Sequence, residues 1–405
     1  MKNKLLLIIL TFCVVACVCT VFFFKNKLNS SSVPEELHVF LESYATNPAL
    51  TQIIQYSKLS PKTRKIIAWH RFPERGKLID LKKYNTQEVH LQPKEGQWNE
   101  ATKKVLQIVL EELKQHPNMK VHLHLNMWKM DTTIRPFLKA IPKEKITLLH
   151  LYEDGYGEIF KRELWLEKNQ EHYSKEKIQD GIEGKIKWKD QMSLYLHQLY
   201  PVKYYFFEWE KTQNNPLFEK ARTFLKDLDI ENVDFIQLRQ TLTKKQKQLI
   251  YRLSGFDYSY YASLMKNKKT FVFIMGLFGD TTAKKERQLL KKIQTDEEFS
   301  GIHASEYIWL YKPHPSYSTS ARAIKTMKTE FPGIIEIPAQ VPMELFTLAE
   351  LDPTLVAGYL SSAFYSLQKD QILLIIRRGG RDIYIPFLKE VRHLDDKKFL
   401  KWNDV

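Results

Sequence analysis

Cysteine is almost missing from this sequence. Its 405 residues include three, at positions 13, 17 and 19, and none beyond. The chain after Cys19 therefore forms no disulfide and no cysteine-ligated metal site, which suits a reducing compartment. Glycine-rich phosphate loops of both common types are missing. No internal repeat occurs, and no nucleic-acid-binding module is present, so nucleic acid is not an expected partner. Acidic residues are in deficit, 47 Asp+Glu against 62 Lys+Arg, for a net charge of +15. That field favours an anionic partner such as a nucleotide sugar or an acidic lipid headgroup.

What is present suits two domains of ordinary size, and a hydrophobic content of 43% suffices for real cores. The uncharged run Leu5–Phe24 has Lys2 and Lys4 before it and Lys25 and Lys27 after it. Twenty helical residues span about 30 Å, a bilayer's hydrocarbon thickness, so residues 5–24 are expected to be an uncleaved membrane anchor. A lipoprotein signal is the alternative, since Val14-Val15-Ala16-Cys17 resembles a lipobox. Lysines on both flanks leave the orientation open. Asn29-Ser-Ser-Ser-Val-Pro34 reads as a tether.

Beyond the tether, strand-like runs alternate with amphipathic helical stretches, the pattern of an α/β protein with parallel sheets. Strands are expected at 37–41, 121–125, 146–152, 270–273, 307–311, 334–337, 355–360 and 372–376, with helices at 101–113 and 284–293. The lysine- and aromatic-rich middle, about 160–269, reads as helical. Two such halves enclose a cleft, and ligands of parallel sheets bind at the carboxyl ends of strands.

Four motifs stand at such places. Glu153-Asp154-Gly155 follows a strand; a glycine permits a sharp turn, and a carboxylate at the sheet's lip can take a proton from a hydroxyl. Lys312-Pro313-His314-Pro315 ends another strand, offering a cation and a histidine to a departing phosphate. Glu344 lies in the first turn of a helix opened by Pro342, where it serves the helix dipole or grips ribose hydroxyls. Ser361-Ser362 precedes a helix start, either as a plain N-cap or as a phosphate site. His122 and His124 alternate on one strand face without an evident third ligand, so they read as strand histidines facing solvent or the cleft. Asp227-Leu-Asp229 reads as charged helix surface.

In their order and separation the four motifs resemble the bacterial sialyltransferases of glycosyltransferase family 80. The likeness continues through Leu37-His-Val-Phe-Leu-Glu-Ser, Asn47-Pro-Ala-Leu, Tyr200-Pro-Val-Lys-Tyr-Tyr-Phe206, Pro386-Phe-Leu-Lys and Trp402. The resemblance implies a GT-B fold, two Rossmann-like domains facing across a cleft. Residues 1–35 would be anchor and tether, 36–190 the acceptor-side domain completed by a C-terminal helix at 385–405, and 191–384 the CMP-sugar domain. It implies Asp154 as general base and His314 as the group stabilising the leaving phosphate. Lys312, Pro315, Glu344, Ser361, Ser362 and Gly276 would bind the CMP moiety, while Arg71 and Lys129 would lie on the acceptor side. No metal or other cofactor is implied. The expected partners are CMP-sialic acid and a galactose-terminated glycan or glycolipid, handled on the cytoplasmic side of a bacterial inner membrane.

Three positions depart from the family pattern. Pro313 replaces a loop glycine, Lys129 replaces a histidine, and Phe278 is the nearest aromatic to an expected tryptophan. Two other readings stay open: a related transferase using another nucleotide sugar, and a non-catalytic membrane-anchored protein binding an anionic glycolipid or polymer.

Overall fold

A computed structural model of the chain describes residues 36–42, 45–70, 72, 78–90, 98–155, 173–213, 216, 219–276, 280–314, 321–377 and 385–401. The anchor expected at 5–24 lies outside these residues. Among the described residues no helix is long and apolar enough to cross a membrane.

Two parallel sheets organise the molecule. The first contains β1 (Glu36–Glu42), β2 (Arg64–Trp69), β3 (Thr86–Glu88), β4 (Lys120–Asn126), β5 (Ile146–Tyr152), β6 (Val202–Phe207) and β7 (Asp229–Val233), in the order β3-β2-β1-β4-β5-β6-β7. The second contains β8 (Thr270–Ile274), β9 (Ile308–Lys312), β10 (Ile335–Glu336), β11 (Leu355–Tyr359), β12 (Ile372–Arg377) and β13 (Phe399–Lys401), in the order β10-β9-β8-β11-β12-β13. Each is doubly wound, with its strand order reversing at β1/β4 or at β8/β11, where ligands of such sheets bind.

Helices cover both faces of each sheet, so the strands are apolar runs rather than alternating ones. One core lies on the outer face of the first sheet, around Val39, Leu123, Leu151 and Phe206. Another lies on the outer face of the second, around Phe271, Phe273, Tyr311 and Ile376. The largest joins the two inner faces, from Phe40, Tyr152 and Phe207 to Val272, Leu310 and Ile375. Helix α1 (Thr46–Lys58) supplies Ala49, Leu50, Ile53 and Ile54 to it, and α2 (Lys244–Ser254) supplies Ile250 and Leu253. The two helices pack on each other.

Several expectations change. The middle segment is not wholly helical: it contains β6 and β7, and Asp229 opens β7 instead of lying on a helix. The first sheet thus runs to Val233, and a division after residue 190 would cut through it. The C-terminal segment serves both halves. Helix α3 (Ile385–Arg392) gives its Arg392 guanidinium to the buried Glu208 carboxylate after β6, whereas β13 pairs with β12. His124 does not face solvent or the cleft: it points to the inner face, where α1 covers it and Gln52 of α1 donates to its carbonyl, while His122, on the same face of β4, is half-buried beside exposed Glu36.

The glycine that the fold demands is not the one after Asp154. Gly155 keeps a backbone open to any residue, and an added Cβ there meets nothing within 4 Å. Gly358, on β11, has φ +134° and lies so close to β8 that a Cβ would sit 2.1 Å from the Ile274 carbonyl oxygen. Strain and overlap together predict that Gly358→Ala costs about 3 kcal/mol. Gly155→Ala should stay within about 0.5 kcal/mol. Urea midpoints at unchanged slope measure both; equal effects would contradict the assignment.

Candidate active site

A cavity of about 290 Å³ opens where the carboxyl ends of the two sheets face each other. Asp154, Lys312, His314, Glu344, Ser361 and Ser362 all line it, with Asn47, Ile274, Met275 and Pro342 among the other lining residues. Asp154 and His314, 160 positions apart in sequence, thus share one site.

On the first half, two adjacent carboxylates have opposite fates. Glu153 is fully buried, and its Oε2 accepts the Phe207 N–H at 3.0 Å, tying the end of β5 to β6. Asp154 is half-buried and reaches the cavity, where Asn126 Nδ2 donates to its Oδ1 at 3.1 Å. Asn126 is itself oriented by the Trp128 N–H, which donates to its Oδ1 at 2.9 Å. Among the described residues this donor on Oδ1 fixes the carboxyl group's direction and leaves its other oxygen available to a further hydrogen-bonding partner.

On the second half, β9 delivers Lys312 to a buried position, where Nζ donates to the carbonyls of Pro313 (2.7 Å) and Ala339 (2.8 Å). Burial pushes the ammonium pKa down to about 7, with Glu344 and Glu336 pulling the other way. Glu344 opens the short helix Glu344–Leu348, hence its place at the cavity floor. Burial raises its pKa, against the backbone N–H, Lys312 and Asn47, which favour the anion. Its Oε1 is sealed from solvent and has no hydrogen-bond partner. An acceptor in that condition costs about 1–3 kcal/mol unless a ligand donates to it.

Ser361 follows β11 and caps the 3-10 turn Ser362–Ser366 by accepting the Ala363 N–H at 3.4 Å. Ser362 Oγ accepts from Asn47 Nδ2 at 3.2 Å, a bond that crosses between the halves. Asn47 is a site residue that the motif reading passed over. Its sequence signals were its position at the start of the helix after β1 and its place in the Asn47-Pro-Ala-Leu segment of the family resemblance.

Other expected residues fall elsewhere. Gly276 is buried, does not line the cavity, and donates its N–H to Glu286 Oε1 at 2.5 Å. Burial lifts the pKa of that carboxyl to about 8. Lys129 is half-buried after β4 and is not part of the cavity lining. Arg71, Pro315, Phe278 and Trp402 lie outside the described residues.

Comparison with known proteins agrees with this geometry. No curated protein sequence matches the chain. The fold is similar to that of the GT-B domain of a sialyltransferase from Photobacterium damselae (TM-score 0.72, 17% identity, 91% of this chain and 100% of that one). It is likewise similar to an α/β-galactoside α-2,3-sialyltransferase from Photobacterium phosphoreum (TM-score 0.71, 21% identity, 92% and 100%). A third similar structure is a Photobacterium 2,6-sialyltransferase solved with CMP and lactose (TM-score 0.71, 18% identity, 91% and 78%). The family profile described as Sialyltransferase PMO188 matches residues 37–394. The chain belongs to this sialyltransferase family and is a GT-B glycosyltransferase.

Proposed function

We propose that the protein transfers sialic acid from CMP-sialic acid to a sugar hydroxyl, with galactose as the acceptor unit, by a single inverting displacement. One observation carries this reading: a half-buried carboxylate from the first half shares a cavity with a lysine, a histidine and two serines from the second. Asp154 takes the proton of the acceptor hydroxyl as its oxygen attacks the anomeric carbon. The bond from that carbon to the phosphate oxygen breaks, and CMP leaves. His314, Lys312 and the hydroxyls of Ser361 and Ser362 stabilise the charge that gathers on the phosphate. The orphaned Glu344 Oε1 accepts from a ribose hydroxyl, filling its missing hydrogen bond. These groups replace a metal in neutralising a single phosphate. The relative solved with CMP and lactose supports the choice of donor and acceptor class. We propose also that residues 5–24 hold the enzyme to an inner membrane with the catalytic halves on the cytoplasmic side, the apolar run supplying the anchor.

Asp154→Asn should lower kcat by about 10² to 10⁴, with the KM for CMP-sialic acid within a few-fold of wild type. Acceptor-dependent CMP release onto lactose measures it, with EDTA present throughout; full activity in Asp154→Asn would refute the base assignment.

A pH dependence follows from Lys312. Its pKa in the free enzyme lies at about 7, so the cation is present below that pH and lost above it. The kcat/KM for donor should therefore fall as pH rises from 7 to 9. Lys312→Met should be slower at every pH and flat across this limb. An unchanged limb in the variant would assign the dependence to another group.

A further inference from the structure

The amino ends of the central strands, opposite the cavity, carry a second cluster. Glu36 and His38 on β1 and His122 on β4 bring one carboxylate oxygen and two ring nitrogens within 4.8 Å of one another. His38 and His122 are register partners across the β1–β4 pair, with rings stacked at 4.3 Å. His122 Nε2 faces Glu36 Oε1 at 3.5 Å, long for a hydrogen bond, and is sealed from solvent without a hydrogen-bond partner.

Behind these rings stand two parallel relays. His38 Nδ1 lies 3.0 Å from His124 Nε2, and His124 Nδ1 lies 2.7 Å from the Tyr152 hydroxyl. His122 Nδ1 lies 3.3 Å from His150 Nε2, and His150 Nδ1 lies 2.9 Å from the Tyr205 hydroxyl. When every Nδ1–H donates along its relay, the Nε2 atoms of His38 and His122 are left proton-free, that of His122 facing Glu36. A metal-ligating histidine is held in this way, its other nitrogen anchored by an outer partner.

We propose that Glu36, His38 and His122 bind one divalent transition ion of the zinc class, with the fourth position open to solvent beside exposed Glu36. Two histidines, one carboxylate and a water make a tetrahedral set, whose ligand atoms stand about 3.3 Å apart at zinc distances. Rotation of the Glu36 side chain and small ring tilts close the gap. The neighbouring Lys65 ammonium, tied to the carbonyls of Ser60, Thr63 and Tyr84, repels cations held by charge alone. Imidazole coordination then supplies the affinity and selects zinc or cobalt over magnesium. His122 is four residues from the end of β4, about 13 Å from the cavity end of the sheet, so the ion pins β1 to β4 without entering the transfer chemistry.

The test uses the full chain without a polyhistidine tag, stripped with EDTA, and with Cys13, Cys17 and Cys19 changed to serine to remove competing thiols. Titration with Co²⁺, read by absorption, and with Zn²⁺, read by calorimetry, should show one equivalent bound. Zn²⁺ should raise Tm while Mg²⁺ does not, and kcat for sialyl transfer should stay within about twofold, since the site is remote from the reacting atoms. Glu36→Gln, at an exposed position, should weaken binding by about tenfold or more with an unchanged circular dichroism spectrum. His122→Gln should abolish it. Saturable binding absent below about 100 µM metal, or binding indifferent to both substitutions, would overturn the proposal.

Discussion

The site depends on how helix Thr46–Lys58 is held. It closes the inner face of the first sheet, packs against Lys244–Ser254, and shares one hydrophobic core with the second sheet. Parallel strands all end on the same side, so joining the two inner faces through this core brings both sets of carboxyl ends to one cavity. At the start of the same helix, Asn47 donates across the cleft to Ser362. The Arg392–Glu208 pair adds a second tie, from the C-terminal helix to the end of β6. Asp154 and the phosphate-side residues are thus set against each other by packing, since sequence separates them widely.

Within that frame the electrostatics are unbalanced in a useful way. Lys312 and Glu344 are buried next to each other, and burial disfavours the charge on both. Such a pair is costly in an empty cavity. An anionic phosphate near Lys312 and a hydroxyl donor at Glu344 would relieve both costs, so ligand binding restores what the folded protein gave up there. Asp154, by contrast, is only half-buried and is oriented by the Asn126 amide.

Much of the architecture was legible because the central strands are continuous apolar runs. Runs such as Ile146–Tyr152 and Leu355–Tyr359 are buried on both faces and so carry a strong signal. β7, Asp-Ile-Glu-Asn-Val, is an edge strand with polar positions and reads as surface. His124 misled for a related reason. Alternation along an antiparallel strand points one set to water, but in this parallel sheet both sets are covered. His124 thus went under a helix and into a relay with Tyr152. Gly155 misled as well: its position suggested a required turn, yet Gly358 is where two backbones meet too closely for a side chain.

The sequence by itself determined the α/β class, the four strand-end motifs and their order, because periodicity and strand termini are local properties. Through that order it also pointed to a sialyltransferase. The tertiary structure alone decided that Glu153 is clamped to β6 while Asp154 enters the cavity, that Asn47 belongs to the site, and that Gly276 turns its N–H to Glu286. Each of these turns on a partner brought close by the winding of a sheet or by the joining of two cores, and no local pattern records that distance.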